Sequence, residues 1–120
     1  MNFYIIIPAH NEEAFLAQTL QSLTTQTLLP KQIVVVNDHS TDATQLIIDS
    51  FSAKFPFITS ITISSEEKHQ PGSKVVKAFY KGLDLIDENY DILCKFDADL
   101  IFPNNYLERI SEIFQNNTSC

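Results

Sequence analysis

Two short apolar runs, at residues 3–7 and 33–36, constrain the fold of this chain more than any other feature. Residues 33–36 are four consecutive β-branched side chains. A run without polar alternation is typical of a strand that is buried on both faces. Such strands belong to parallel sheets whose two faces are covered by helices.

The rest of the sequence alternates in the same way. Further strands are predicted at 61–63 and 90–96, and helices are predicted at 12–23, 43–51, 73–86 and 106–114. Asn11 is the expected N-cap of the first helix. The expected apolar face of the second helix consists of Ala43, Leu46, Ile47 and Phe51. Strands that alternate with helices form βαβ units with right-handed crossovers. The sequence therefore predicts one α/β domain over residues 1–120, with three α/β/α layers around a mainly parallel sheet.

Polar and acidic residues follow each predicted strand. They occupy residues 8–12, 37–40, 65–72 and 97–99. In open parallel sheets, ligands bind beyond the carboxyl ends of the strands. We therefore expect these four segments to lie along one ligand-binding edge.

Asp97 and Asp99 are two positions apart at the end of the last predicted strand. In extended backbone, side chains two apart point the same way, so both carboxylates can face one point. A hard divalent cation such as Mg²⁺ or Mn²⁺ commonly uses one or two carboxylates together with substrate phosphates. On its own, the triplet also fits a turn or a helix cap.

Three of these segments, in this order and spacing, resemble the motifs of family 2 glycosyltransferases with the GT-A fold. They are Pro-Ala-His-Asn-Glu-Glu at 8–13, Val-Asn-Asp-His-Ser-Thr-Asp at 36–42 and Asp-Ala-Asp at 97–99. The resemblance covers essentially the whole chain. It implies a Rossmann-like GT-A half that binds a UDP-, GDP- or dTDP-sugar and transfers the sugar to a glycan or lipid-linked acceptor hydroxyl.

The resemblance also implies roles for individual residues. Asp97 and Asp99, on either side of Ala98, would hold Mn²⁺ or Mg²⁺ against the donor diphosphate. Asp38 would contact the nucleotide base, and Pro8, Ala9 and Glu12 would line the nucleoside pocket. Lys74 is a candidate cation near the phosphates, although most lysines are solvated surface residues.

The chain departs from the family pattern at three positions. Asn37 stands where an acid is usual, His39 where glycine is common, and His10 where tyrosine is more usual. The spacing of His10, His39 and His69 fits no known zinc pattern. We therefore expect these histidines to lie in loops and to bind no structural metal.

Composition narrows the partners and the compartment. The net charge is −7, and the eight Lys and Arg residues form no dense basic patch, which argues against nucleic acid or an anionic membrane surface as the main partner. Cys94 and Cys120 form no disulfide framework, which favours a reducing cytoplasm. Peripheral attachment to the inner face of the cell membrane through other parts of the protein is compatible with this.

The general base of an inverting transferase is expected beyond Cys120, because the acids after the Asp-Ala-Asp motif, Glu108 and Glu112, fit the exposed side of a helix. The chain is therefore expected to be a donor-binding half, truncated before the acceptor-binding part and inactive alone. A sheet shortened in this way would expose an edge and favour self-association.

Other functions remain open. A nucleotidyltransferase also uses acidic metal ligands, but typically has a Gly-rich basic loop after its first strand, where this chain has Pro-Ala-His-Asn-Glu. Asp38 and Asp99 could mimic the acidic cluster of a phosphoacceptor domain. A non-catalytic nucleotide-binding module is a further alternative.

Overall fold

The computed structural model describes residues 1–64 and 78–116. Its strands are β1 (Phe3–Ala9), β2 (Gln32–Asp38), β3 (Ile58–Ile63) and β4 (Ile92–Lys95). Its helices are α1 (Leu16–Thr24), α2 (Thr44–Lys54), α3, which is helical over the described residues 78–83, and α4 (Tyr106–Asn116).

The four strands form one parallel sheet in the order β3-β2-β1-β4. The predicted fold class is therefore confirmed. The register pairs Ala9 with Asn37 and Ile6 with Lys95, so β1 and β2 extend together beyond the end of β4. The carboxyl ends of β1 and β2 consequently lie side by side at one edge of the sheet.

Alternate residues of the central strands enter two separate cores, as the uninterrupted apolar runs require. Phe3, Ile5 and Ile7 pack in one core with residues of α1, α2 and α4. Ile6 packs on the other face with Val34, Val36 and Ala78 of α3. Helices therefore cover both faces of the sheet.

Gly82 lets α3 approach the sheet closely. A Cβ atom at this position would lie 2.7 Å from Cγ2 of Ile6 and 3.1 Å from Cγ2 of Val36. Both methyl groups belong to fully buried β-branched residues, whose side chains are stiff. The missing side chain is thus part of the packing between α3 and the sheet.

The predicted start of α1 was wrong. The helix begins at Leu16 rather than at residue 12, and its N-cap, Phe15, makes no side-chain capping bond. Asn11 does not cap it, because its backbone is left-handed, with φ 52°, and its side-chain oxygen accepts a hydrogen bond from Thr41 N at 2.8 Å. Asparagine tolerates this conformation better than most residues.

Two further details differ from the prediction. Leu46 is 72% exposed, and the buried apolar residue of α2 is Ile48. β4 is shorter than predicted and ends at Lys95, so Asp97 and Asp99 lie in a turn beyond the strand. Strand alternation therefore does not set the directions of these two carboxylates.

Some predictions lie outside the described residues, namely the segment 65–72 and Lys74. The longest helices in the described ranges, α2 and α4, have 11 residues each. A helix needs about 20 residues to span a bilayer, and no helix of the described ranges is long and apolar enough to do so.

Candidate functional site

Asp38 is the last residue of β2, and it is only 5% exposed. Its Oδ1 lies 2.8 Å from Nδ1 of His39, and its backbone oxygen lies 2.7 Å from Nδ1 of His10. The loop after β1 therefore contacts the end of β2 through a histidine side chain. At the ligand edge, one imidazole thus contacts the largely buried carboxylate of Asp38, and a second imidazole contacts the backbone of the same residue.

The rings of His10 and His39 lie next to each other, with centroids 4.6 Å apart and planes inclined by 43°. Both histidines occupy the loops where the sequence placed them, but sequence reasoning missed their contacts with Asp38. A signal for His39 was the glycine that is common at its position. Its backbone has φ 43°, which glycine adopts without strain.

The loops after β1 and β2 are interlocked by hydrogen bonds in both directions. Asn11 N donates to Ser40 Oγ at 2.9 Å, and Thr41 N donates to Asn11 Oδ1. Further along, Glu12 N donates to Thr44 Oγ1 at 2.9 Å. The two loops therefore form one structural unit around the predicted nucleoside pocket.

Two acids, Glu13 and Asp42, add further hydrogen bonds between the two loops. Glu13 Oε1 accepts a hydrogen bond from Ala43 N, and Asp42 Oδ2 accepts one from Glu13 N. Burial alone would raise the pKa of Asp42, but hydrogen bonds from the side chain and backbone of Thr44 and from the backbone of Glu13 outweigh burial and lower it. Glu13 and Asp42 thus serve the loop structure, a role that the sequence did not indicate.

The Asp-Ala-Asp segment at 97–99, called the acidic turn below, follows β4 closely. Just before it, Phe96 N donates to Ile6 O at 3.1 Å. Ala98 is buried in the core, with 3% exposure, while Asp97 and Asp99 are exposed. The buried alanine anchors the turn, and both flanking acids face outward because of it. Asp97 Oδ1 also pairs with Nζ of Lys95 at 3.1 Å, on the surface.

Glu12 connects the acidic turn with the loop after β1. Its pKa is raised, first by burial and then by the negative charges of Asp99, Asp42 and Asp97, although His10 acts in the opposite direction. The acids of the two segments are therefore close enough to repel one another. A cation beside them would relieve this repulsion.

The donor chemistry of this edge suits a hard divalent ion. No group of three or more His, Cys, Asp or Glu side chains within residues 1–64 and 78–116 is arranged to hold a metal. Two carboxylates are nevertheless enough for Mg²⁺ or Mn²⁺ when substrate phosphates and water complete the coordination. Asp97 and Asp99 fit that incomplete ligand set.

The structure brings most of the predicted site residues to one edge of the sheet. Ala9 is buried and Pro8 is partly exposed at the end of β1, Glu12 follows them, and Asp38 ends the neighbouring strand. Lys74 lies outside the described residues.

A four-stranded parallel sheet with helices on both faces, and with acids gathered beyond the ends of β1, β2 and β4, defines an α/β protein of the nucleotide-binding type. The chain belongs to glycosyl transferase family 2, whose family model matches residues 4–120. The predicted resemblance to this family is therefore confirmed.

Known proteins similar to this chain agree with this assignment. The probable glycosyltransferase YdaM of Bacillus subtilis (strain 168) is 34% identical over 98 residues, which are 79% of this chain and 22% of YdaM. The chain thus spans about a fifth of the length of this relative.

The chain also matches solved structures of glycosyltransferases that have the GT-A fold. S. aureus TarS 1-349 in complex with UDP-GlcNAc has a TM-score of 0.77 and 22% identity, over 98% of this chain and 32% of TarS. The mannosyltransferase PcManGT from Pyrobaculum calidifontis, in complex with GDP-Man and Mn²⁺, has a TM-score of 0.61 and 21% identity, over 85% of this chain and 28% of PcManGT.

Proposed function

We propose that this chain is the donor-binding part of a metal-assisted glycosyltransferase that takes a sugar from a nucleotide diphosphate-sugar. The observation that carries the proposal is the position of four carboxylates on one sheet edge. Asp38 is buried at the end of β2, the pair Asp97 and Asp99 is exposed beyond β4, and Glu12 is electrostatically coupled to that pair. A buried carboxylate is suited to hydrogen bonding with the nucleotide base, and exposed carboxylates are suited to holding a metal ion against the diphosphate.

Asp38 would select the base of the donor. Uracil, thymine and guanine each carry a ring N–H group that a carboxylate oxygen can accept in a hydrogen bond. Such a bond is stronger in a partly buried site than in water. The contact between His39 Nδ1 and Asp38 Oδ1 would hold the carboxylate in one orientation.

Asp97 and Asp99 would hold Mn²⁺ or Mg²⁺. When bound, the metal neutralises the charge that develops on the diphosphate leaving group. Lys95 holds Asp97 through an exposed ion pair, and exposed pairs of this kind are worth at most about 1 kcal/mol. The pair can therefore be exchanged for a metal contact at little cost.

The similar structures contain the kinds of ligand that this proposal requires. TarS was solved with UDP-GlcNAc, and PcManGT with GDP-Man and Mn²⁺. The two donors share a nucleoside diphosphate and differ in base and sugar. We therefore propose the diphosphate and metal contacts as the common part of the site, and UDP, GDP or dTDP as its candidate nucleotides.

The acceptor would be a hydroxyl of a glycan or a lipid-linked sugar, bound by other parts of the whole protein. Glu108 and Glu112 of α4 are exposed, and Glu108 accepts a hydrogen bond from Thr27 Oγ1 at 2.6 Å. They are thus surface residues of a helix, as the sequence predicted. We propose that the general base also lies elsewhere in the whole protein.

Calorimetric titration with UDP, GDP and dTDP, each with and without Mn²⁺, tests the donor site. We expect one nucleotide to bind in a metal-dependent manner. Asp99→Asn should abolish the dependence on Mn²⁺, whereas Asp38→Asn should weaken binding at every Mn²⁺ concentration. The control Asp84→Asn changes an exposed acid at the end of α3 and should have no effect. Binding that is equal in all four proteins would refute the proposal.

We also propose self-association through β4, the strand at the side of the sheet. Within the part of the chain that the structure describes, β4 pairs only with β1, and Leu100 and Ile101 just beyond it are 42% and 63% exposed. An open strand edge with apolar neighbours favours pairing with another chain. Sedimentation equilibrium should show association that increases with concentration, and a strict monomer at every concentration would contradict it.

A further inference from the structure

Three polar side chains form a buried stripe along one side of α1 and the residue positions just after it. Thr19, Ser22 and Gln26 are 0%, 9% and 5% exposed. Their spacing of three and four residues places them on one helical face. Burial of polar groups is unfavourable unless they are hydrogen-bonded, so the partners of this stripe indicate what it does.

Each of the three side chains donates to a main-chain oxygen in or next to its own helix, namely that of Phe15, Thr19 or Ser22. Their other partners are main-chain atoms of the segment that starts with the acidic turn. Thr19 Oγ1 donates to Ala98 O at 2.9 Å, a bond between residues 79 positions apart. Ser22 Oγ accepts a hydrogen bond from Phe102 N at 3.1 Å. One element of the fold thus binds the backbone of the acidic turn and of the residues just after it.

Gln26 completes the stripe with two hydrogen bonds to this segment. Its Nε2 donates to Pro103 O at 2.5 Å, and its Oε1 accepts from Leu107 N at 3.0 Å. The amide therefore spans the approach to α4 and the first turn of that helix. Together with the bonds of Thr19 and Ser22, these contacts fix the segment from Ala98 to Leu107 against α1.

The acidic turn needs such support, because the sheet does not provide it. β4 ends at Lys95, so the main chain at 97–99 has left the parallel ladder. Asp97 and Asp99 are exposed on either side of the buried Ala98. The direction of both carboxylates therefore depends on the conformation of the Ala98 peptide groups, and Thr19 holds the carbonyl of Ala98.

We propose that Thr19, with Ser22 and Gln26 behind it, is a positioning residue for the metal-binding acids of the Asp-Ala-Asp turn. This inference rests on the proposed donor site. Loss of a hydrogen bond that orients a metal ligand typically lowers metal affinity by about 10- to 100-fold. The stripe acts in this way through the main chain rather than by touching the metal.

The test compares three variants of the 120-residue chain by titration with Mn²⁺ in the presence of the nucleotide that the wild type binds. Thr19→Val keeps the shape of the side chain but removes its hydroxyl group. Thr19→Ser keeps the hydroxyl group. The control Thr24→Val removes a hydroxyl group that donates to Gln21 O within the same helix.

We expect Thr19→Val to weaken Mn²⁺ binding about tenfold, while affinity for the metal-free nucleotide stays unchanged because the contacts of Asp38 are untouched. Thr19→Ser should restore Mn²⁺ affinity, and Thr24→Val should leave it as in the wild type. If Thr19→Val fails to fold, Ser22→Ala takes its place, with the same expectation and amide exchange of Phe102 as a second readout.

Wild-type Mn²⁺ affinity in Thr19→Val would overturn the positioning role, as would equal weakening of metal-dependent and metal-free nucleotide binding. The same holds for Ser22→Ala where it replaces that variant. A wild-type chain that binds no nucleotide with Mn²⁺ would instead refute the donor site itself. The two failures are therefore distinguished by the wild-type titration alone.

Discussion

His39 pairs with the carboxylate of the residue before it, with Nδ1 2.8 Å from Oδ1 of Asp38, while its own backbone is in the left-handed region at φ 43°. A non-glycine residue in this region carries a conformational cost of about 1 kcal/mol or more. The side-chain contact is thus made at a strained backbone position.

Replacing His39 separates these two effects. His39→Gly and His39→Ala both remove the imidazole, but only glycine relieves the backbone. We therefore expect His39→Gly to be more stable than His39→Ala by about 1 kcal/mol, as measured by urea unfolding. Equal stability of the two variants would show that the left-handed backbone carries no strain.

Tyr4 and Asp87 should make stability depend on pH at both extremes. Tyr4 OH donates to Asp87 Oδ1 at 2.6 Å. This hydrogen bond is the main reason that the pKa of Tyr4 is raised to about 12 and that the pKa of Asp87 is lowered. A raised tyrosine pKa adds stability below its ordinary pKa of about 10, and a lowered aspartate pKa adds stability above its ordinary pKa of about 3.9.

The stability that this bond contributes should therefore be constant between about pH 5 and pH 9. It should be lost as the pH falls through the lowered pKa of Asp87 and as it rises from about 10 towards 12. The difference in unfolding free energy between the wild type and Tyr4→Phe, measured across pH, should shrink at both ends. A difference that does not vary with pH would contradict the hydrogen bond.

Gly82→Ala should destabilise the chain, although alanine is the better helix former by about 1 kcal/mol. The added methyl group would lie 2.7 Å from Cγ2 of Ile6, and overpacking of this kind costs about 1–3 kcal/mol. We expect a net loss of about 1 kcal/mol in thermal or urea unfolding. The control Lys81→Ala changes an exposed neighbour and should be close to neutral, whereas a stabilised Gly82→Ala would contradict the close packing.

Cys94 should be unreactive in the folded chain. Burial raises the pKa of its thiol to about 11, so only about one thiol in a thousand is ionised at pH 8. In a Cys120→Ser background, a disulfide reagent should label Cys94 slowly in buffer and rapidly in urea. Rapid labelling without urea would place the thiol at an accessible surface.

The parts of the fold that were readable from the sequence were those with a local signal. Residues 33–36 are uninterrupted and β-branched, and they formed a strand buried on both faces. The start of α1 was misread because Asn11, a good N-cap residue, bonds to Thr41 in another loop instead. Leu46 was misassigned to the core because α2 turns Ile48 inward, a rotation that tertiary packing decides.

The candidate site was predictable to the same extent. Asp38 ends a strand and Asp97 and Asp99 lie just after one, each within a motif, so their sequence context made them candidates. The bond from Thr19 to Ala98 joins residues 79 positions apart, and no periodicity in the sequence reports a contact of that kind. The interlocked loops at Asn11 and Thr41 were missed for the same reason.

The most direct test of the donor site is to follow the backbone amide signals of the chain by NMR during titration with UDP, GDP or dTDP in the presence of Mg²⁺. We expect one nucleotide to shift the signals of residues 9–12, 38–41 and 97–100. Signals at the opposite ends of the strands, near Asn2 and Asp91, should stay in place. Shifts that cluster away from these three segments, or that are absent with all three nucleotides, would contradict it.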